Sequence, residues 1–202
     1  YSAGLYRQYE RDGRLVYTYY IYAERTTRII SEGRTCTVVE FSGGGENTLG
    51  DTALMQFSLY YSDMIHGTAC DCGMVYVLRL RKKGLIVVDG GEYGKSTEAA
   101  VNEFMERIHA LTGTPKGGRI TIAAWYCTHD HNDHMDFFSK LIRFRSDELE
   151  LKRVMFNLPS ARLQPHSDPC TARMRSRISK AYPNVKFLTL HSRQRSTLGN
   201  AA

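Results

Sequence analysis

The run RITIAAWYC, residues 119–127, constrains the fold more than any other part of this 202-residue chain. It is apolar almost throughout, which is typical of a strand whose two faces are both covered by other parts of the protein. Strand and helix patterns alternate around it, in the order β-β-β-α-β-α-β-α-β from about residue 50 onward. This alternation predicts the α/β class, in which a sheet and helices form separate layers.

The individual elements follow from the period of the apolar residues. The predicted strands are ALMQFSLYY (53–61), MVYVLRL (74–80), LIVVDGG (85–91), RITIAAWYC (119–127), LKRVMFNL (151–158) and VKFLTL (185–190). The predicted helices are STEAAVNEFMERIHALTG (96–113), DFFSKLIRF (136–144) and TARMRSRISKA (171–181). The apolar stripe of the first helix consists of Val101, Phe104, Met105, Ile108 and Leu111. We expect Ser96 to cap this helix, Gly113 to end it and His109 to lie at its solvent edge.

Residues 1–50 are predicted to be rich in strands. RLVYTYYIYA (14–23) and RTCTVVEFS (34–42) are runs of aromatic and β-branched residues, and GGGENTLGD (43–51) predicts a flexible break after them. These residues form either an N-terminal extension or the first strands of the main sheet, and the sequence leaves both arrangements open. Residues 51–202 are predicted to form the α/β domain.

Composition and charge argue against several classes of protein, namely membrane-spanning, secreted and nucleic-acid-binding proteins. No apolar run reaches the ~20 residues of a membrane span, and the start of the chain lacks the apolar core of a secretory signal. Five cysteines form an odd count without the spacing of a disulfide scaffold, so we expect a reduced, cytoplasmic compartment. The net charge of +6 would suit a nucleic-acid partner, but no helix-turn-helix, zinc-finger or RNP pattern accompanies it, and solvated surface explains it more simply.

The segment WYCTHDHNDHMDFF (125–138) places many ionisable groups between two apolar runs. His129 and His131 flank one residue, so in extended backbone they project to the same side and can share one ion. Asp133 and His134 follow where the chain is predicted to turn into a helix, and they can converge on a second ion. Imidazole nitrogen and carboxylate oxygen suit Zn²⁺ best, and Fe or Mn also accept such ligands. The alternative is a capping cluster with Asp133 as the N-cap, which explains one histidine better than three.

Two motifs carry a resemblance to a known family. THDHNDH (128–134) resembles the T-H-x-H-x-D-H signature of the metallo-β-lactamase-fold hydrolases. MVYVLRLRKKGLIVVDGG (74–91) resembles the first motif of that superfamily, a hairpin whose second strand ends in an Asp-Gly pair. The resemblance extends from about residue 53 to about residue 200. It implies a metallo-β-lactamase-like αββα sandwich, of which this chain holds a part.

The resemblance also implies a site for two metal ions, with zinc as the expected metal. His129 and His131 would bind the first ion, and Asp133 and His134 would bind the second. A minority of the superfamily uses such a site for iron redox chemistry. The usual reaction is hydrolysis, in which a metal-activated hydroxide attacks an ester, thioester, lactam, lactone or phosphodiester bond of a small-molecule substrate.

Other residues would support that reaction. By the same resemblance, Asp89 and Thr128 would orient the ligands without binding metal. Asp133 would be a catalytic residue as well as a ligand, because it would help to orient the attacking hydroxide.

The sequence departs from the family pattern downstream of the motif. The family has a third histidine for the first metal, a bridging aspartate and a last histidine, whereas only His166 and His191 follow the motif here. His191 is the candidate third ligand, and no late strand end offers the bridging aspartate. Arg162 and His166 lie in the proline-containing segment 157–170, which we expect to be a loop that shapes substrate access. Because the chain begins with Tyr1 and stops at LGNAA, we expect it to be part of a longer protein.

Two further functions stay open. One is a non-catalytic module of the same fold that keeps the motif for structure or for partner binding. The other is a nucleic-acid-processing nuclease of the same superfamily, which is suggested by the basic charge alone. The intact H-x-H-x-D-H pattern favours the hydrolase, because a module without catalysis has no need of all four ligands. The sequence does not indicate an oligomeric state.

Overall fold

The structure of the chain is a computed structural model. It describes residues 6–11, 14–21, 24–31, 34–41, 52–58, 61–63, 68–70, 74–80, 84–91, 98–129, 131–156 and 170–190. The predicted break at 43–51 and the expected cap Ser96 lie outside these residues.

The described residues form strands, three α-helices and one short 3₁₀ helix. The strands are β1 (Tyr6–Arg11), β2 (Arg14–Ile21), β3 (Glu24–Ser31), β4 (Arg34–Phe41), β5 (Thr52–Ser58), β6 (Tyr61–Asp63), β7 (Thr68–Cys70), β8 (Met74–Arg79), β9 (Leu85–Val88), β10 (Ile120–Cys127), β11 (Leu149–Leu151), β12 (Arg153–Phe156) and β13 (Lys186–Thr189). The helices are α1 (Glu98–Thr112), α2 (Asn132–Arg145) and α3 (Cys170–Ala181), and the 3₁₀ helix (Ser146–Glu148) follows α2. Among these described helices, none is long and apolar enough to cross a membrane.

Within the described residues, eleven strands form one mixed sheet. Its order is β1-β2-β3-β4-β5-β8-β9-β10-β12-β13, with β11 also beside β10, while β6 and β7 pair with each other. The pairs from β1 to β9 are antiparallel, whereas β9, β11 and β12 are parallel to β10, and β13 is parallel to β12. Because β4 pairs with β5, the strands of the first fifty residues continue into the same sheet as the later ones. Sheet and helices together confirm the predicted α/β class.

All three helices pack against one face of the sheet. The apolar stripe of α1 is buried along its whole length, as its period predicted. α1 ends at Thr112, directly before Gly113, whose φ of 67° is a conformation that favours glycine. The core on this face includes Phe104 and Ile108 of α1, Phe137 and Leu141 of α2, Met174 and Ile178 of α3, and Val87, Ile122, Trp125 and Phe156 of the strands.

The opposite face of the sheet is also apolar at its centre. Ala124 and Met155 are buried there, and Ile86, Tyr126 and Leu188 pack against them as partly buried residues. None of the described helices contributes to this second cluster. The central strand β10 thus has apolar neighbours on both faces, in agreement with its continuous apolar sequence.

Two parallel strands replace the single strand predicted at 151–158. β11 ends at Leu151 and β12 begins at Arg153, with the N–H of Lys152 donating to the carbonyl oxygen of Ile122 at 2.9 Å. The pairing of β10 with β9 shifts register between Ile122 and Ala124, which is the behaviour of a bulge. The irregularity lies in the neighbouring strand, so the apolar pattern of 151–158 alone could not predict the division.

The start of α2 is tied to the turn after β9. The helix begins at Asn132, earlier than the predicted start at Asp136. The N–H of Asp136 donates to the carbonyl oxygen of Gly91 at 3.1 Å, and the N–H of Phe137 donates to that of Gly90 at 2.8 Å. These long-range bonds fix where the segment with the histidines leaves the sheet.

Close packing at Gly90 makes this junction sensitive to an added methyl group. A Cβ atom at Gly90 would lie 3.2 Å from the backbone nitrogen of Phe138 and 3.4 Å from the ring of Trp125. The rings of Trp125 and Phe138 also stack on each other, with their centroids 3.8 Å apart. The backbone of α2 would therefore have to move away from β9 to accommodate any other residue.

We predict that Gly90→Ala lowers the free energy of unfolding by about 1–3 kcal/mol, because overpacking forces the backbone to shift. Urea unfolding followed by circular dichroism measures the change. Gly84→Ala is the matched control, since its nearest atoms would lie 4.0 Å away. We expect the control to stay within about 0.5 kcal/mol of the original protein. Equal stability of the two variants would contradict the prediction.

Cys36 of β4 illustrates the depth of the core. Its side chain is buried, and burial raises the pKa of the thiol from 9.0 to about 12. The folded protein therefore retains this proton at a pH where the unfolded chain has released it. The contribution to stability is complete below pH 9.0 and is lost as the pH rises toward 12.

We predict that iodoacetamide does not alkylate Cys36 in the folded protein at about pH 8, because the thiolate is the reactive form. Peptide mass mapping after timed exposure measures the modification. The urea-unfolded chain is the control and should be alkylated readily at this position. Equal rates of alkylation in the two states would show that the thiol is accessible.

Candidate metal centre

Two neighbouring parallel strands end at the predicted site. Asp89 directly follows β9 and Thr128 directly follows β10, and the N–H of Asp89 donates to the carbonyl oxygen of Tyr126 at 2.8 Å. Parallel strands present their carboxyl ends at the same edge of a sheet, which is where ligands bind in α/β proteins. The Asp-Gly motif and the histidine motif, far apart in sequence, therefore meet at one edge.

The carboxylate of Asp89 organises this edge. Its Oδ1 atom accepts from the backbone N–H of Thr128 at 2.8 Å, and the hydroxyl of Thr128 lies 2.9 Å from Oδ1 and 2.8 Å from Oδ2. The indole N–H of Trp125 donates to the carbonyl oxygen of Asp89 at 3.1 Å. Asp89 is only 8% exposed, and a carboxylate so deeply placed is tolerated because donors surround it.

The three histidines of the motif lie together beside this carboxylate. The ring centroid of His129 is 4.7 Å from that of His131 and 3.8 Å from that of His134. His129 follows the end of β10, His131 is the N-cap of α2, and His134 lies in the first turn of that helix. The strand end and the helix start thus bring three imidazoles within contact distance.

The contacts of two rings indicate which nitrogen carries the proton when the ring is neutral. Nδ1 of His134 lies 3.0 Å from Oδ2 of Asp89, and a carboxylate oxygen can only accept. Nδ1 of His129 lies 3.0 Å from the hydroxyl oxygen of Thr128, whose own proton is directed to Asp89. Both rings are therefore assigned the tautomer with the proton on Nδ1, and each has its lone pair on Nε2.

The histidines of the motif are chemically suitable ligands for a transition metal. The described side chains alone do not form a complete metal site. Neutral imidazole nitrogens whose other nitrogen is held by a carboxylate or hydroxyl are the usual ligands of Zn²⁺. Within the described residues, no group of three or more His, Cys, Asp or Glu side chains is positioned to hold an ion. Asp133 lies in the first turn of α2, and its side chain, like all of Asp130, is outside the description.

The other predicted site residues are placed as follows. Arg162, His166 and His191 lie outside the described residues, so their roles stay predictions. The capping alternative named Asp133, but the N-cap of α2 is His131, and its side chain makes no capping hydrogen bond. The sequence analysis did not identify the carbonyl groups of Gly90 and Gly91, which accept hydrogen bonds from the first turns of α2. The Gly-Gly pair after the strand was the feature of the sequence that could have indicated such a close approach of two backbones.

Comparison with known proteins gives no significant match to a family model, to a curated protein or to a solved structure. The contacts among Asp89, Thr128 and the histidines are therefore the basis on which a function is inferred.

We predict that Asp89→Asn moves the ring proton of His134 from Nδ1 to Nε2. The asparagine oxygen can still accept from the N–H of Thr128, and its NH₂ group then faces Nδ1 of His134 as a donor. Asparagine also tolerates the backbone conformation of Asp89, whose φ is 57°. Long-range ¹H–¹⁵N spectra of the metal-free protein at neutral pH distinguish the two tautomers.

The control for this experiment is Glu150→Gln, which removes a carboxylate that pairs with Lys152 on the surface. It should leave the tautomers of His129 and His134 unchanged. An Nε2–H tautomer of His134 in the original protein would contradict the assignment.

Proposed function

We propose that the chain is a metal-dependent hydrolase of the metallo-β-lactamase superfamily, with a two-metal site formed by His129, His131, Asp133 and His134. The observation that carries the proposal is the orientation of two imidazoles. Nδ1 of His134 faces the carboxylate that ends β9, and Nδ1 of His129 faces a hydroxyl that the same carboxylate holds. Histidines that ligate metals are commonly held in this way, so that Nε2 is free to bind.

The fold supports the proposal at the level of architecture. A mixed sheet with three helices on one face and an apolar cluster on the other is compatible with one half of an αββα sandwich. In such a sandwich, a further layer would cover the side chains around Ala124 and Met155. The proposal further requires the two motifs to meet at one sheet edge, and the ends of β9 and β10 are adjacent there.

In the proposed reaction, the metal and the residues around it would have different roles. Bound metal, with zinc expected and Fe or Mn as alternatives, would lower the pKa of a water molecule and polarise the bond under attack. Asp89 and Thr128 keep the imidazole rings oriented before any substrate arrives. Asp133 would bind metal and orient the nucleophile toward the substrate.

The proposed substrate is a small molecule with an ester, thioester, lactam, lactone or phosphodiester bond. Arg162 and His166 of the segment 157–170 would contact it, because this segment follows β12, whose carboxyl end lies at the same edge of the sheet as that of β10. His191, which follows β13, would come from the next strand along that edge. A third histidine at this place would complete the first metal position.

A non-catalytic module is the second candidate function. The contacts of Asp89 with Thr128 and His134 join two strand ends and the first turn of α2, so they would stabilise the fold without any reaction. A protein of this kind would keep these contacts and bind no metal. A nuclease is a special case of the hydrolase, and a phosphodiester substrate distinguishes it from the others.

We predict that the purified protein binds zinc, with up to two equivalents per chain, and that His131→Ala loses at least one of them. His131 is exposed, so its removal should not impair folding. Elemental analysis after equilibration with zinc measures the content, and a panel of ester, thioester, lactam, lactone and phosphodiester substrates tests the activity. Asp89→Asn should weaken zinc binding by about 10–100-fold, because it disturbs the orientation of His134.

Glu150→Gln is again the matched control and should keep the full zinc content, since its side chain pairs with Lys152 on the surface. Zinc binding without hydrolysis of any substrate would favour the non-catalytic module. A folded protein that takes up no zinc, iron or manganese would refute the metal site.

A further inference from the structure

A cleft lies at the amino ends of the parallel strands, at the edge of the sheet opposite to the histidine cluster. Its volume is about 660 Å³, and its lining includes the residue before β10, residues 150–153 of β11 and β12, and the turn that leads from α3 into β13. Four of the lining side chains are cations and one is a carboxylate, so three positive charges are unbalanced. The cations are Arg119, Lys152, Arg153 and Lys186, and the carboxylate is Glu150. The proposed hydrolase uses none of these residues.

The carboxylate of the cleft is already engaged within the protein. Glu150 pairs with the ammonium of Lys152, and its Oε2 atom accepts from the hydroxyl of Thr121 at 2.9 Å. The Lys152 ammonium and the Thr121 hydroxyl hold the pKa of Glu150 below its usual range, so this side chain is ionised at neutral pH. Glu150 and Lys152 therefore form a pair without net charge, and the surplus positive charge of the cleft lies on the other three cations.

Two of those cations are direct neighbours on adjacent strands. Arg153 begins β12 and Lys186 begins β13, and the two residues are register partners in the parallel pairing. Register partners project from the same face of a sheet about 5 Å apart, so like charges at such positions repel each other. Within the described residues, neither side chain makes a hydrogen bond or an ion pair, while both are accessible to solvent. Arg119 donates to the carbonyl oxygen of Leu149 at 3.0 Å, which leaves its charge uncompensated.

We propose that this cleft binds a small molecule that carries two linked phosphate groups. One phosphate carries a charge of about −1.5 to −2 near neutral pH, so two linked phosphates match three surplus positive charges better than one does. The planar guanidinium of Arg153 can donate two parallel N–H bonds to phosphate oxygens, and the ammonium of Lys186 beside it can donate to the same anion. Such an anion would also remove the repulsion between these two side chains. The volume of about 660 Å³ is within the range of small-molecule sites.

The test titrates inorganic pyrophosphate into the metal-free protein at neutral pH and about 0.1 M ionic strength, where distant surface charges are screened. Calorimetry measures the affinity, and backbone ¹H–¹⁵N spectra locate the site. We expect saturable binding at one site per chain, with amide shifts at the starts of β12 and β13. Arg153→Gln should weaken the binding about tenfold or more, because it removes charge-assisted hydrogen bonds. Glu150→Gln should strengthen it about twofold or more, because it removes the carboxylate of the wall and frees Lys152.

Lys116→Gln is the matched control, because it removes an exposed cation outside the cleft and should leave the affinity unchanged. Lys186 is also exposed, so Lys186→Gln tests the proposal even if Arg153→Gln fails to fold, and circular dichroism verifies the folding of each variant.

Three results would overturn the proposed site. They are binding that does not saturate, an equal loss of affinity in Lys116→Gln and in the two cleft variants, and amide shifts confined to residues 128–134. Equal affinities for pyrophosphate and for inorganic phosphate would overturn the assignment to two linked phosphates. Because the protein is free of metal and the cleft shares no residue with the proposed metal centre, the outcome does not depend on the proposed hydrolase.

Discussion

The carboxylate of Asp89 is the group on which the edge of the sheet depends. Parallel pairing of β9 and β10 brings it beside Thr128, a residue 39 positions away in sequence. Burial of a carboxylate is costly unless donors surround it, and the N–H and hydroxyl of Thr128 supply them, with Nδ1 of His134 3.0 Å from Oδ2. The same contacts orient the imidazole rings. The contacts that compensate the burial of this group are therefore also the ones that orient the histidines, so the stability of the fold and the proposed metal binding depend on the same atoms.

Elements with a strong local pattern could be predicted from the sequence. The helical spacing of its apolar residues predicted α1, and the conformational freedom of Gly113 predicted where it ends. The apolar run of β10 predicted that this strand is covered on both faces. Features set by distant contacts could not. The start of α2 depends on the carbonyl groups after β9. His109, which was expected at the solvent edge of α1, is instead only 8% exposed and lies beside Glu148 of the 3₁₀ helix, so that expectation was wrong. For the same reason, the motif predicted which histidines would gather, and only the fold gives their tautomers.

Helix α2 begins at the histidine cluster and ends beside the 3₁₀ helix that carries Glu148. Its 14 residues span about 21 Å at the usual rise, with His134 in the first turn and Arg145 at the last position. Between these ends, Phe137, Phe138 and Leu141 are buried against the sheet and α1. Side chains packed so tightly leave little room for the helix to slide or rotate. This packing holds the first turn of α2, with His134, against the ends of the strands.

The backbone of Asp89 has a consequence for how this chain can vary during evolution. Its φ of 57° is readily adopted by glycine, asparagine and aspartate and by few other residues. Glycine would satisfy the backbone and lose the carboxylate, asparagine would replace an acceptor by a donor, and glutamate would keep the charge with a less suitable backbone. Two unrelated demands thus leave aspartate as the residue that meets both. A single substitution at this position therefore loses either the backbone conformation or part of the contacts that the carboxylate makes with Thr128.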